Sequence, residues 1–325
     1  MSFEQLPTEM IECIAECLPQ SQDLNALCRA NRRFNLIVSW HLYHSHARKA
    51  LHWGASNGYL QVMQKSLNHG VSIHIRDRKD KTPLTRAVEA QNLEAINFLL
   101  DRGADINYSK TFAESITYIA VLNRNIDVIK LVLARGANPD ALSNNDTLPL
   151  FLAVSRGDLE IAQMLVEYGA RLDAPGPHQT PMIQSIKLGH HDILKMFIEK
   201  GLFRNDKDGS LGAEALTRAV LDQNHKALDI LLAAGVNPGK GDWLGYCPIM
   251  HALRSGNVHY AIILSDRVED LTEPKDRRGK TLLDYGVTSH SKQYLKYLVG
   301  RGFSPDNPRI ETSLEILVLA DRDNI

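Results

Sequence analysis

The residues with the most chemical reach stand in a few places. His41, His44 and His46 lie three and five residues apart, a spacing that lets imidazoles share a helix face and meet a divalent metal. No cysteine or carboxylate stands beside them to complete a ligand set, so they are expected as surface histidines. Cys13 and Cys17 are one helical turn apart, but no second pair follows at zinc spacing, and buried core thiols are the expectation. Gly209-Ser210-Leu211-Gly212 and Gly239-Lys240-Gly241 pair glycines as phosphate-cradling loops do. Neither has the strand before it or the lysine after it that such a loop needs. There is no Gly-x-Ser-x-Gly elbow and no His-Glu-x-x-His pair. The sequence therefore nominates no catalytic, cofactor-binding or metal-binding residue. The enzymatic alternative is a pocket assembled between elements from side chains such as Tyr118, Arg218 and His251.

The elements that would position any such groups repeat along the chain. A small residue recurs at Ala55, Ala87, Ala120, Ala153, Ser185, Ala219, Ala252 and Gly286, at spacings of 32, 33, 33, 32, 34, 33 and 34. A glycine trails it at Gly70, Gly103, Gly136, Gly169, Gly201, Gly235 and Gly302, and only the unit around Ala252 lacks one, with Val268 in its place. Thr82-Pro83 and Thr180-Pro181 open helices, a threonine cap followed by proline where no amide donor is needed. A second helix follows with an apolar stripe at helical spacing, as in Ile96, Leu99 and Leu100, or Leu295, Leu298 and Val299. The glycine then supplies the left-handed residue that ends it. Two short helices cannot bury their apolar faces alone, so neighbouring units must stack.

The run Thr-Pro-Leu, small residue, helix, then Gly-Ala-Asp-Ile-Asn at 103–107 resembles the ankyrin repeat, over residues 48–303. The resemblance implies an all-α ankyrin-repeat solenoid of seven to eight repeats. The histidine usual after Thr-Pro-Leu is replaced by Thr85, Tyr118, Phe151, Ile183, Thr217, Met250 and Asp284, which removes an inter-loop hydrogen bond. His190-His191 falls at the turn between paired helices and is expected to be structural. Residues 304–325, with Ser313 to Ala320 as a helix, are expected to cap the open end of the stack.

Residues 1–47 do not follow the repeat. They are expected to form three short helices, too few for a core of their own. Leu6, Pro7, Glu9, Ile14, Leu18, Asp23, Leu24, Leu27, Asn31, Arg33, Phe34 and the Leu42-Tyr43 pair resemble an F-box. That resemblance implies binding to a Skp1-like adaptor of a cullin ubiquitin ligase, through Leu6, Pro7, Ile11, Ile14, Leu18, Leu24 and Leu27. The alternative is a helical cap that only seals the stack.

The chain has 325 residues, 44% hydrophobic and 23% charged, with 37 basic against 38 acidic side chains. Such a balance gives no whole-chain attraction for nucleic acid or an anionic membrane. Four cysteines, Cys13, Cys17, Cys28 and Cys247, form no disulfide framework. With Glu4, Glu9, Glu12 and Glu16 where a secretory signal would be apolar, a cytoplasmic or nuclear location is expected. In a stacked array the first helices and the loop tips make the recognition surface. Its candidate residues are Arg86, Glu89, Asn123, Arg156, Lys187, Arg218 and Arg254 on the helices. At the tips they are Arg78, Lys79, Asn144, Asn145, Asp242, Trp243, Arg277 and Arg278. The many arginines point to an acidic or phosphorylated target, unless their stems only cover apolar surface. Trp243 is the strongest single anchor, of about 2 kcal/mol, unless it folds onto the next repeat. These features make a target receptor of a ubiquitin ligase the leading expectation, and a plain scaffold or an enzyme built in the groove the alternatives.

Overall fold

The computed structural model describes residues 47–108, 115–173, 179–206, 209–242 and 244–302. The F-box-like segment, Trp243 and the expected C-terminal helix lie outside these residues. Among the described residues there is no strand, only an isolated antiparallel bridge between Lys275 and Thr281. Helices come in consecutive pairs. The first members are α1 (47–57), α3 (Pro83–Glu89), α5 (Ile116–Asn123), α7 (Pro149–Arg156), α9 (Pro181–Leu188), α11 (Ser210–Leu221), α13 (Pro248–Arg254) and α15 (Leu282–Thr288). The second members are α2 (Leu60–Asn68), α4 (Leu93–Asp101), α6 (Ile126–Ala134), α8 (Leu159–Glu167), α10 (His191–Glu199), α12 (His225–Ala233), α14 (Val258–Ser265) and α16 (Lys292–Gly300).

Local chemistry sets these boundaries. Thr82 and Thr180 accept the amides of Thr85 and Ile183 with their hydroxyls, at 3.1 and 3.4 Å, and each precedes proline at the first helical position. Ser115 does the same for Tyr118 at 3.1 Å. The turn between paired helices passes through one left-handed residue. It is glycine at Gly58, Gly157, Gly189 and Gly256, but Gln91, Arg124, Gln223 and His290 hold φ of 50–58° in the same role. Asn92, Asn125 and Asn224 then cap α4, α6 and α12, accepting the amides of Ala95, Val128 and Ala227 at 2.9, 3.2 and 3.0 Å. All seven trailing glycines have φ between 78 and 93°. After four of them the next amide reaches back five residues, Val71 to Ser66 at 3.4 Å, Ala104 to Leu99 and Ala137 to Val132 at 3.0 Å and Val236 to Leu231 at 3.2 Å, which closes the helix end.

By mutual contact the chain forms two compact units, residues 1–152 with 167–170, and residues 153–166 with 171–325. In the first, α3 packs on α5, and α4 lies between α2 and α6. In the second, α9, α11, α13 and α15 pack in sequence, α10 on α12 and α14 on α16. The recurrent small residues are buried in both: Ala55, Ala87, Ala120, Ala153, Ala219 and Ala252 expose nothing. The stripes of the second helices are buried with them, Ile96, Leu99, Ile129, Val132, Leu165, Leu194, Phe197 and Leu231 being at or near zero exposure. Val299 departs from the expected stripe and is 51% exposed. Each fully buried leucine or isoleucine here contributes about 2 kcal/mol of transfer free energy.

Candidate partner-binding surface

Four of the loop tips are built on one hydrogen-bond figure. At Asp77, Ser143, Asp242 and Asp276 the backbone amide donates to the carbonyl four residues on, each at 3.0 Å. The residue three on is left-handed: Asp80, Asp146, Gly245 or Gly279. One side-chain oxygen of the leading residue accepts two tip amides, those of Lys79 and Lys81 for Asp77 (2.7 and 3.0 Å), and of Asn145 and Thr147 for Ser143 (3.2 and 3.1 Å). Asp242 takes Leu244 and Tyr246 (2.8 and 2.9 Å), and Asp276 takes Arg278 and Lys280 (2.8 and 2.9 Å).

The aspartates use their second oxygen to tie the tip to the helix behind it, always to the residue nine positions later. Arg86 Nε donates to Asp77 Oδ2 at 2.7 Å, and Tyr285 Oη to Asp276 Oδ2 at 2.7 Å. His251 Nε2 faces Asp242 Oδ2 at 3.4 Å. Burial pushes the Asp77 carboxyl up, but the Lys81 amide, the Arg86 guanidinium and the Lys79 amide together hold it below the ordinary carboxylate range. Asp276 follows the same balance, with burial outweighed by the Tyr285 hydroxyl, the amides of Lys280 and Arg278 and the Lys280 charge. Tyr285 is shifted up in turn, by burial first and then by the Asp276 hydrogen bond and charge. Glu214 is raised by burial and by the charge of Asp242.

The basic residues nominated from sequence fall into two groups. Arg86 is enclosed by carboxylates: besides Asp77, its Nη1 meets Glu89 Oε2 at 3.3 Å, and Glu89 also takes Lys81. Arg218 forks onto Asp222, with Nε and Nη2 each 2.6 Å from a carboxylate oxygen. Asn123 donates to the carbonyls of Val88 and Glu89 at 3.4 Å, tying α5 to α3. Arg156, Lys187 and Arg254 are exposed, and the Arg254 guanidinium stands 5.2 Å from the centre of the Tyr246 ring. Arg78, Lys79, Asn144, Asn145, Arg277 and Arg278 are exposed at the tips, as the repeat pattern predicts.

Comparison with known proteins decides what the pairs are. The family model described as Ankyrin repeats (3 copies) matches residues 24–110 and again 108–176. Over residues 24–176 the sequence matches ankyrin repeats. A curated relative, the ankyrin repeat, SAM and basic leucine zipper domain-containing protein 1 of Carollia perspicillata, is 31% identical over 88 residues. That stretch is 27% of this chain, which spans only 18% of the relative's length. The solved ankyrin repeat domain of Bcl-3 superposes with a TM-score of 0.53 at 21% identity, over 63% of this chain and 93% of that domain. Ankyrin repeats of this kind imply a module for protein–protein interaction.

The departures from the ankyrin pattern have structural answers. A histidine bond between loops does occur, one position earlier than the pattern has it. The ring of buried His52 has Nδ1 2.8 Å from the Arg48 carbonyl and Nε2 3.0 Å from that of Lys81, next to the Thr82 cap. Asp284, counted from sequence as a lost histidine, forms a reciprocal capping box with Thr281. Gly286 replaces alanine because a Cβ there would stand 3.1 Å from Leu295 and 3.2 Å from Tyr294, whose buried hydroxyl is 2.8 Å from Ser265 Oγ. The Gly209–Gly212 stretch is a helix start, and Asp206 already accepts the amides of Leu211 and Gly212 at 3.2 and 2.8 Å, where an anion would sit. Cys247 is buried, and burial pushes its thiol up to about 11, far from a reactive thiolate.

Sequence reading missed Asp77, Asp276, Tyr246, Tyr285 and His52. A signal for the aspartates was present: Asp77, Ser143, Asp242 and Asp276 each stand ten residues before the recurrent small residue. Their helix partners, Arg86, His251 and Tyr285, share no chemical type and leave no repeated mark.

Proposed function

We propose that the chain is a target receptor of a Skp1–cullin–F-box type ubiquitin ligase. Residues 1–47 engage a Skp1-like adaptor through Leu6, Pro7, Ile11, Ile14, Leu18, Leu24 and Leu27, and the ankyrin repeats hold the target protein. The observation that carries the binding half is the internal bonding of the tips. With side-chain oxygens holding four tips and helix partners tying down the three led by Asp77, Asp242 and Asp276, their exposed residues are ordered before a partner arrives, which lowers the entropic cost of association. The ligase half rests on the F-box-like residues and on their place ahead of the repeats. The same reading has no catalytic step and no cofactor, and places the protein in the cytoplasm or nucleus. Of the side chains considered for an enzyme, Arg218 is already committed to Asp222. Among the described residues no helix is long and apolar enough to cross a membrane.

The test is affinity purification of the full chain from cell extract, blotted for the adaptor, beside the Leu6→Asp/Leu24→Asp double variant. Adaptor recovered with the parent and lost with the variant is the expected result. A second reading, a plain ankyrin scaffold, draws on the family match, which starts at residue 24 and runs through Leu24 and Leu27. Target recovered without adaptor would select it, and a chain that retains neither would remove both readings.

A further inference from the structure

Counting from the recurrent small residue puts three side chains in one register on three helices that pack in sequence. Lys187 on α9, Leu221 on α11 and Arg254 on α13 each follow that residue by two positions. Neighbouring helices pack about 8–10 Å apart, so the row spans about 20 Å. All three side chains are exposed, and Leu188 beside Lys187 is exposed as well. Leu188 and Leu221 are 43% and 48% accessible, in a unit whose other α9 and α11 leucine and isoleucine side chains pack inward. The helix dipole accounts for a cation at the end of α9 and of α13. It gives no reason for the exposed leucine between them, Leu221, or for exposed Leu188 beside Lys187.

The neighbouring basic groups do not add to this row. Arg218, one turn back on α11, is neutralised by Asp222. In the first unit the same register holds Glu89 and Leu122, and Glu89 is bound to Lys81 and Arg86. The row at Lys187, Leu221 and Arg254 is thus apolar in the middle and positive at both ends, with exposed Leu188 beside its Lys187 end. We infer that it takes a segment of another protein with carboxylate side chains at both ends of an apolar pair. A span of about 20 Å corresponds to about six extended residues or about thirteen helical ones. The inference rests on the reading of the repeats as a protein-binding surface and names the chemistry of what one part of it binds.

A random peptide library of about sixteen residues, displayed on phage and panned on the full chain, covers both lengths. The expected outcome is enrichment of peptides with Asp or Glu on both sides of two large apolar residues. Binding of the best peptide, followed by fluorescence anisotropy, should weaken at least about tenfold in Lys187→Glu/Arg254→Glu and in Leu188→Ala/Leu221→Ala. Circular dichroism of each variant confirms folding, and the substitutions lie at exposed positions where loss of fold is not expected. The charge-reversed variant should enrich basic peptides instead. Peptides without acidic bias, peptides indifferent to both variants, or no enrichment at all would overturn the inference. Recovery of a target that both variants capture as well as the parent would remove this inference alone. Failure of the parent to retain any protein would remove the functional reading beneath it.

Discussion

The tip at 77–81 and the tip at 276–280 have the same backbone course and are held by different chemistry. In the first, a half-buried aspartate meets an arginine that a second carboxylate also grips. In the second, a buried aspartate takes a tyrosine hydroxyl. The first tolerates loss of one partner, because Arg86 keeps Glu89. The second is less tolerant: removing either aspartate strands two tip amides, but removing Asp276 also takes from the buried Tyr285 hydroxyl its carboxylate acceptor. Conserved geometry in a repeat therefore does not imply equal energetics. What decides the cost is how many donors are stranded, and how far from water.

Four measurements break or sharpen that contrast, from the largest effect to the smallest. Asp276→Ala should destabilise the second unit by about 2–3 kcal/mol in urea unfolding, since it strands two tip amides and takes the carboxylate from a buried hydroxyl. Asp77→Ala should cost less, about 1–2 kcal/mol, because the first tip is partly in water and its arginine stays paired. Equal losses would refute the argument from stranded donors. Next comes acid titration. Both aspartates titrate below the ordinary range in the folded chain, so their contribution is complete above about pH 4 and fades as pH falls through the lowered values. Asp276→Asn should flatten that acid limb, and thermal melts from pH 5 downward read it. At the alkaline end the sign reverses. Tyr285 and Tyr297, the latter pushed up to about 12 by burial and the Asp266 hydrogen bond and charge, stabilise the fold below about pH 10. That part is lost as pH rises through the shifted values. Smallest is Gln223→Gly at the left-handed turn before α12, which should stabilise by about 0.5 kcal/mol. A loss there would show that the glutamine side chain, rather than its backbone angle, matters at that turn.

The paired helices, their threonine caps and the glycine stops were legible because each is local: a cap reaches three residues on and a stop reaches five back. The small residues were legible as well, since spacing alone exposes a period near 33. The tip latches were not. Each joins residues nine apart, and a reader searching for repeated letters finds Arg86, His251 and Tyr285 unrelated. Sequence also counted Arg86 and Arg218 as charges offered to a partner. Their neutralisation by Asp77, Glu89 and Asp222 depends on side-chain direction, which composition does not encode. Asp222 stands one turn beyond Arg218, and that pairing was within reach of the sequence. The F-box-like residues, Trp243 and the C-terminal helix fall outside the described residues, so that part of the sequence reading stands as it was made.

The glycine at 286 makes the order of the units matter. Leu295 and Tyr294 press close to the place an alanine side chain would take within the same pair, and the Tyr294 hydroxyl is met by a serine from the pair before. A copy of 281–302 spliced behind any other pair would bring the ring but not the serine, and would leave a phenol sealed away from water without a mate. Gene duplication could thus lengthen this array from its alanine-bearing members, while the 281–302 pair is keyed to a single predecessor and is free to move only together with it.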